Sequence, residues 1–311
     1  MNSRIMEMRL HEGDSVALVA TARKVSPVEV EPAVKLFESW GLRVIVPEGL
    51  YAADCQFAGS DRHRAAMLQE LIDNHDIKAV FCVRGGYGTV RIIDSLDFAS
   101  LDSFPKWIVG YSDVTALHSH MATHCSIPSL HATMPVNIPT DAVSKEYPAI
   151  SSLHDFLFYG GLEYHFPVGT SSLPVCGRVG ECRAPVVGGN LSVLYSLLGS
   201  DSDVDTDGKI LLIEDLDEYL YHVDRMMMAL KRAKKLDSLK GLIVGAFTDM
   251  HDNAVPFGRD AYRIVLDAVA EYDYPVAVGC PFGHIGMENL PLPLNAEVGL
   301  VVSENEISIS L

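Results

Sequence analysis

Positive charge is scarce in this chain. Its 311 residues hold 24 Lys and Arg against 41 Asp and Glu, a net charge of −17. That balance argues against nucleic acid and anionic membrane as partners, because both need a basic surface to neutralise phosphate. Long apolar runs are missing as well, and no segment approaches the about 20 residues of a transmembrane helix. The opening MNSRIMEMRLHEGDSVALVATARK has charges ahead of its one apolar run, Val16 to Ala20, which is too short for a secretory signal. The six cysteines (55, 82, 125, 176, 182 and 280) form no C-x-x-C pair, and Cys82 and Cys280 sit in apolar runs as small core residues do. The expectation is a reduced, cytoplasmic enzyme. Neither an internal repeat nor a low-complexity segment occurs.

What is present is enough chain for one large or two medium domains. Apolar stretches 14–20, 42–46 and 77–83 read as buried strands, with a fourth ending at Val109. Helices are expected between them. One follows Ser26-Pro27 and closes at Gly41, one spans 61–74 with Asp61 as cap, and one runs from about Thr89 to Leu96. This βαβα alternation predicts an open parallel α/β sheet with helices on both faces and ligands beyond the carboxyl ends of its strands. A further strand is expected at 128–135.

From 136 to 176 the pattern breaks. Pro135, Pro139, Pro148, Pro167, Pro174, Gly160 and Gly161 suggest a connection with a short helix near 148–158. The chain is therefore read as an N-terminal α/β domain (1–140), a linker (141–176) and a C-terminal domain (177–311). In the last part GRVGECRAPVVGGN suggests short strands and turns, and Asn190 caps a helix closed by Gly199. Buried strands are expected at 209–214, 241–246 and 275–279, helices at about 219–235 and 257–271, and antiparallel strands in the tail.

Residues 107–118, WIVGYSDVTALH, organise the chemistry. Strand, Gly turn, Ser112 and helix have the form of a nucleophile elbow, with Asp113 as a helix cap, although G-x-S-x-G would have Gly where Val114 stands. An ordinary strand–helix turn reads the same way. A serine nucleophile needs a base and an orienting acid. Glu214 ends a buried strand, where a carboxylate is paired, liganding or catalytic. His284 lies between Gly283 and Gly286 past another strand, either in a site or on a surface loop. RGGYG at 84–88 is neither a P-loop nor G-x-G-x-x-G, and it suits close backbone approach to a substrate oxygen.

Other patterns carry less. His120 and His124 have helical metal spacing but lack the Glu of H-E-x-x-H, so no metal or other cofactor is expected. Ser103 and Lys106 spell S-x-x-K with Pro105 between them and no K-T-G elsewhere, a chance match. Met226, Met227 and Met228 read as packing.

Taken together, RGGYG (84–88), GYSD (110–113), GGNLSVLYSLLGS (188–200), IEDLDE (213–218) with VDRM (223–226), and GH (283–284) resemble the LD-carboxypeptidases of the S66 serine peptidase class. The resemblance runs from about residue 14 to 300 in consistent order; HATMP at 131–135 departs from the HGPM of many members. It implies a Rossmann-like or flavodoxin-like parallel-sheet N-terminal domain and a smaller β-rich α/β C-terminal domain. It implies a triad of Ser112, Glu214 and His284 in an interdomain cleft. It also implies release of the terminal D-alanine from murein tetrapeptides in peptidoglycan recycling, by a cytoplasmic homodimer. One branch instead hydrolyses peptidyl-nucleotide antibiotics of the microcin C type, and a non-catalytic binding module on the same sheet is a third possibility. In this reading the N–H groups of Asp113 and Gly86 form the oxyanion hole. Arg84 either binds the substrate carboxylate or braces its loop through an internal ion pair.

Overall fold

Strong β-formers bounded by caps and glycines define most elements of the computed structural model, which describes residues 3–169 and 175–311. The first part holds α1 (Ser3–Glu7), β1 (Ser15–Val19), α2 (Pro27–Ser39), β2 (Arg43–Ile45), α3 (Asp61–Asp73), β3 (Ile77–Cys82), α4 (Ser100–Ser103), β4 (Trp107–Gly110), α5 (Thr115–His124), β5 (Ser129–His131) and α6 (Pro148–Tyr159). The second holds β6 (Glu163–Pro167), β7 (Val175–Arg178), β8 (Gly180–Asn190), α7 (Leu191–Leu197), β9 (Ile210–Leu216), α8 (Leu220–Arg232) and β10 (Gly241–Thr248). It ends with α9 (Ala261–Ala268), β11 (Val276–Val278), β12 (Leu292–Leu294), β13 (Glu297–Val302) and β14 (Glu306–Ser310).

Two sheets result. The first runs β2-β1-β3-β4-β5, parallel throughout, with β12 added antiparallel at the β5 edge. Order 2-1-3-4-5 is the flavodoxin-like doubly wound arrangement, whose chain direction reverses between β1 and β3. The second sheet is mixed, with order β6-β14-β13-β8-β9-β10-β11-β7 and a parallel centre from β8 to β11. At eight strands against six it is the wider of the two sheets. One apolar core runs between the sheets, joining Leu130 and Leu292 to Val186, Leu212 and Ile243. A second core covers the other face of the second sheet under α7, α8 and α9, with Met226 and Met227 in it.

Several elements differ from the sequence reading. Ser60, not Asp61, caps α3, its Oγ accepting from the His63 N–H at 3.2 Å. The expected helix at 89–96 is two short 3-10 turns, Thr89–Arg91 and Ile93–Ser95. GRVGECRAPVVGGN contains one strand of 11 residues, β8, and α9 is shorter than 257–271 because Asp260 caps it. Within the 141–176 stretch, β6 is the edge strand of the second sheet, and Pro174 lies outside the described residues. β12 returns from the second part to the first sheet, so the two parts exchange a strand as well as a core. No helix among the described residues is long and apolar enough to cross a membrane.

Candidate active site

Ser112 stands at the carboxyl end of β4. Its φ is 63°, a left-handed conformation that costs a non-glycine residue about 1–3 kcal/mol and is retained where the surroundings over-determine it. Tyr111 before it is buried, and the 3-10 turn Ser112–Val114 leads into α5. The strain turns the serine side chain out of the sheet and leaves it partly exposed. A Cβ on Gly85 would lie 3.0 Å from Ser112 Oγ and 3.4 Å from Asp113 N, so the glycine keeps the space before both atoms open. Among the described residues, Ser112 Oγ has no hydrogen-bond partner.

Asp113 is not a helix cap. Its buried carboxylate accepts the Thr89 N–H at 2.8 Å, tying the elbow to the loop after β3. Thr89 Oγ1 in turn bonds Thr21 Oγ1 at 2.9 Å, which brings in the loop after β1. Beneath them, the buried Arg64 of α3 donates to the carbonyls of Thr21 and Gly88, the latter at 2.8 Å, and pairs with Asp61. Three loops at adjacent strand ends are thus cross-braced by groups that carry no motif. An arginine on the apolar face of α3, beside Met67, Leu68 and Leu71, was the available signal for Arg64.

The second part of the site is built on β9. Glu214 is fully buried, and His284 Nδ1 donates to its Oε2 at 2.6 Å. That bond fixes the tautomer and leaves Nε2 as the free acceptor. The pair meets because β10 carries a bulge between Val244 and Phe247. There the Ala246 N–H donates to the Phe282 carbonyl at 2.8 Å, so the loop after β11 crosses β10 and sets His284 over Glu214. Gly245 faces Phe282 O too closely for a Cβ, and a Cβ on Gly283 would lie 2.5 Å from Glu214 Oε2. Gly283 also has φ 108°, so both space and backbone require glycine. Its N–H donates to the buried Asn289 Oδ1 at 2.8 Å. A lone glycine inside the GLIVGAFT run signals such a close approach; Asn289 left no mark in the sequence.

Burial disfavours the charged imidazole of His284. The hydrogen bond to Glu214 and the charges of Glu214 and Asp215 outweigh it and hold the ring above its ordinary pKa. Burial, with Glu214 beside it, pushes the Asp215 carboxyl up to about 7, against hydrogen bonds from Asn190 and the amides of Leu216 and Ser192.

The two parts meet. The Tyr111 ring packs on the His284 ring with centroids 4.8 Å apart, which puts the imidazole beside the residue preceding Ser112. Asn190 joins them again: its N–H donates to Thr115 Oγ1 of α5 at 2.9 Å, its side chain donates to Asp215 at 2.9 Å, and its strand position is opposite Glu214.

The remaining sequence candidates are placed as follows. Gly86 adjoins Gly85, and the side chain of Arg23 lies against it. Arg84 Nη2 pairs with Glu29 at 2.7 Å and Nη1 donates to the Lys24 carbonyl at 3.1 Å, the bracing arrangement of the two open to it. Hydrogen bonds from Ser26 and the Arg84 charge hold the Glu29 carboxyl low. His118 and His124 bond the carbonyls of Gly110 and Asp201, and His120 bonds Ser202 Oγ. Among the described residues no group of three or more His, Cys, Asp or Glu is placed to hold a metal ion. Lys106 is buried, with Nζ donating to the carbonyls of Leu71, Ile72 and Asn74 at the end of α3; burial lowers its pKa to about 8.

The "probable murein peptide carboxypeptidase" of Bacillus subtilis is 33% identical over 303 residues, covering 95% of this chain and 91% of the relative. The crystal structure of muramoyltetrapeptide carboxypeptidase from Oxalobacter formigenes superposes with a TM-score of 0.81 at 26% identity, over 95% of this chain and 98% of that one. The structure of MccF in complex with glutamyl sulfamoyl guanosine superposes with a TM-score of 0.82 at 20% identity, over 97% of each chain, a likeness of fold. The LD-carboxypeptidase N-terminal domain of peptidase family S66 matches residues 16–132 and its C-terminal domain matches residues 183–300. The chain belongs to the LD-carboxypeptidase family, S66, of the peptidases.

Proposed function

We propose that this protein is a serine LD-carboxypeptidase that releases the terminal D-alanine from murein tetrapeptides in peptidoglycan recycling. The observation that carries the reading is the buried Glu214–His284 hydrogen bond of 2.6 Å, set against the strained Ser112 through Tyr111. Ser112 Oγ attacks the carbonyl of the L-configured centre that precedes the D-residue. His284 Nε2 takes the serine proton and returns it to the leaving amine, and Glu214 stabilises the imidazolium between the two events. The N–H groups of Asp113 and Gly86 hold the oxyanion, with Gly85 keeping the approach clear. Water then repeats the sequence on the acyl-enzyme. The protein acts in the cytoplasm as a homodimer, which light scattering at micromolar concentration tests.

The deciding assay is release of D-alanine from a murein tetrapeptide, with the isomer ending in L-alanine and an aminoacyl-sulfamoyl nucleoside as competing substrates. Selective cleavage of the L,D bond is the expected result. Equal cleavage of the all-L terminus, or turnover of the nucleoside conjugate alone, would overturn the murein reading; the latter would favour an antibiotic-immunity peptidase.

A further inference from the structure

We propose that Arg23 binds the C-terminal carboxylate of the substrate, in the crevice between the loops after β1 and β3. This rests on the carboxypeptidase reading and adds the group that recognises the free end of the peptide. Doubly wound sheets bind ligands where the strand order reverses, which here is between β1 and β3. Arg23 follows β1 and the glycine loop follows β3, so the two form the walls of that crevice.

Position sets the range. The stem of Arg23 lies across Gly86 so closely that a Cβ there would collide with Cδ and reach 2.7 Å from Cγ. Gly85, one peptide unit away, faces Ser112 Oγ. Consecutive Cα atoms lie about 3.8 Å apart, so the serine and the arginine flank a single dipeptide. In a substrate, only the amide nitrogen and one Cα separate the scissile carbonyl from the terminal carboxylate. The Arg23 side chain, its Nε 3.5 Å from a Cβ built on Gly86, stands on the residue next to the one that faces Ser112 Oγ, the short range such a substrate requires.

Arg23 is also available. Its backbone is fixed by a bridge to Phe57 and by the flanking Lys24 N–H to Gln56 and Ala58 N–H to Ala22 bonds of 2.9 and 3.0 Å. Its side chain is exposed, and among the described residues the guanidinium has no hydrogen-bond or ion-pair partner. The neighbouring arginines are committed: Arg84 to Glu29, and Arg64 and Arg91 to Asp61. A carboxylate entering beside Glu214, Asp215 and Asp113, in a chain of net charge −17, needs a cation, and Arg offers the bidentate fork that a carboxylate fits.

Binding without turnover tests this. In Ser112→Ala protein, calorimetry should show an L,D-tetrapeptide with a free terminal carboxylate binding about 10- to 100-fold tighter than its C-terminal carboxamide. Adding Arg23→Ala should erase that preference, Arg23→Lys should keep part of it, and Lys24→Ala should leave it intact. In the Ser112 enzyme, Arg23→Ala should raise KM more than it lowers kcat. A preference that survives Arg23→Ala, or no preference in Ser112→Ala protein, would overturn the assignment while leaving the proposed activity standing. If the native enzyme cleaves no L,D-peptide, the activity fails, and Arg23 is still judged by the acid-over-amide binding ratio.

Discussion

The two halves of the site are made by opposite means. At Ser112 the backbone is strained and the side chain is partly open to solvent, whereas at Glu214 and His284 the carboxylate is fully buried and the cost lies in desolvation. The elbow is local, built from a strand, a turn and a helix within a dozen residues. The acid–base pair is assembled from positions 70 residues apart, across a bulge and two glycines. Strain aims a nucleophile, and burial strengthens a hydrogen bond that would be weak in water. The two halves should therefore fail differently when damaged.

The largest effect is expected from removing the chemistry itself. Ser112→Ala and His284→Ala should each lower kcat by about 10³–10⁶ with native circular dichroism, and Glu214→Ala by somewhat less. The double variant Ser112→Ala/His284→Ala should be no worse than either single one, because the residues act as a unit; steady-state kinetics read this directly.

Breaking the buried half alone comes next. Gly283→Ala drives a methyl into Glu214 Oε2 at a φ that disfavours L-residues. It should lose at least about 100-fold in kcat and also lower the melting temperature, because overpacking and strain at a positive φ are among the sources of large destabilisation. Loss of activity with an unchanged melting temperature would mean that the loop relaxes without disturbing the core.

The pH profile sharpens the comparison. In the proposed mechanism His284 must be neutral to accept the serine proton, and the Glu214 bond holds its pKa above the ordinary value, so kcat/KM should rise with pH through a midpoint above about 6.5. Glu214→Gln removes the charge that raises it, and the midpoint of the residual activity should move down. A profile flat between pH 5 and 8 would remove the histidine from the reaction.

The smallest effect isolates the strained half. Ser112→Gly relieves the left-handed backbone, while Ser112→Ala keeps it. Both variants should be inactive, with the glycine variant the more stable by about 1 kcal/mol in denaturant melts. Equal stability would show that the elbow stores no strain.

Legibility followed the same division. Ser112 could be read because its turn is written in neighbouring residues, and the parallel sheet because its strands are uniformly apolar. Glu214 and His284 could be picked out as strand-end residues, but their meeting depends on the β10 bulge and on the loop crossing it, which only Gly245 hinted at. Arg64 showed only as an arginine on the apolar face of α3, with nothing to say what it bonds, and Asn289 was missed because a buried polar group that bonds a backbone atom leaves no spacing to read. Asp113 was misread as a cap because a carboxylate after a turn serves a local amide or a distant one with the same sequence, and here it serves Thr89. The path of β12 back to the first sheet was hidden because a strand of three residues, LPL, carries too little pattern.

In the proposed mechanism a serine raised on one half is activated by a Glu–His pair from the other. Labelling with a fluorophosphonate probe, followed by peptide mapping, tests it most directly. The predicted result is one adduct per chain on Ser112, formed rapidly in the native protein and at least about 100-fold more slowly in His284→Ala. A protein that cleaves peptide yet takes no adduct at Ser112, or one labelled equally fast without His284, would contradict it.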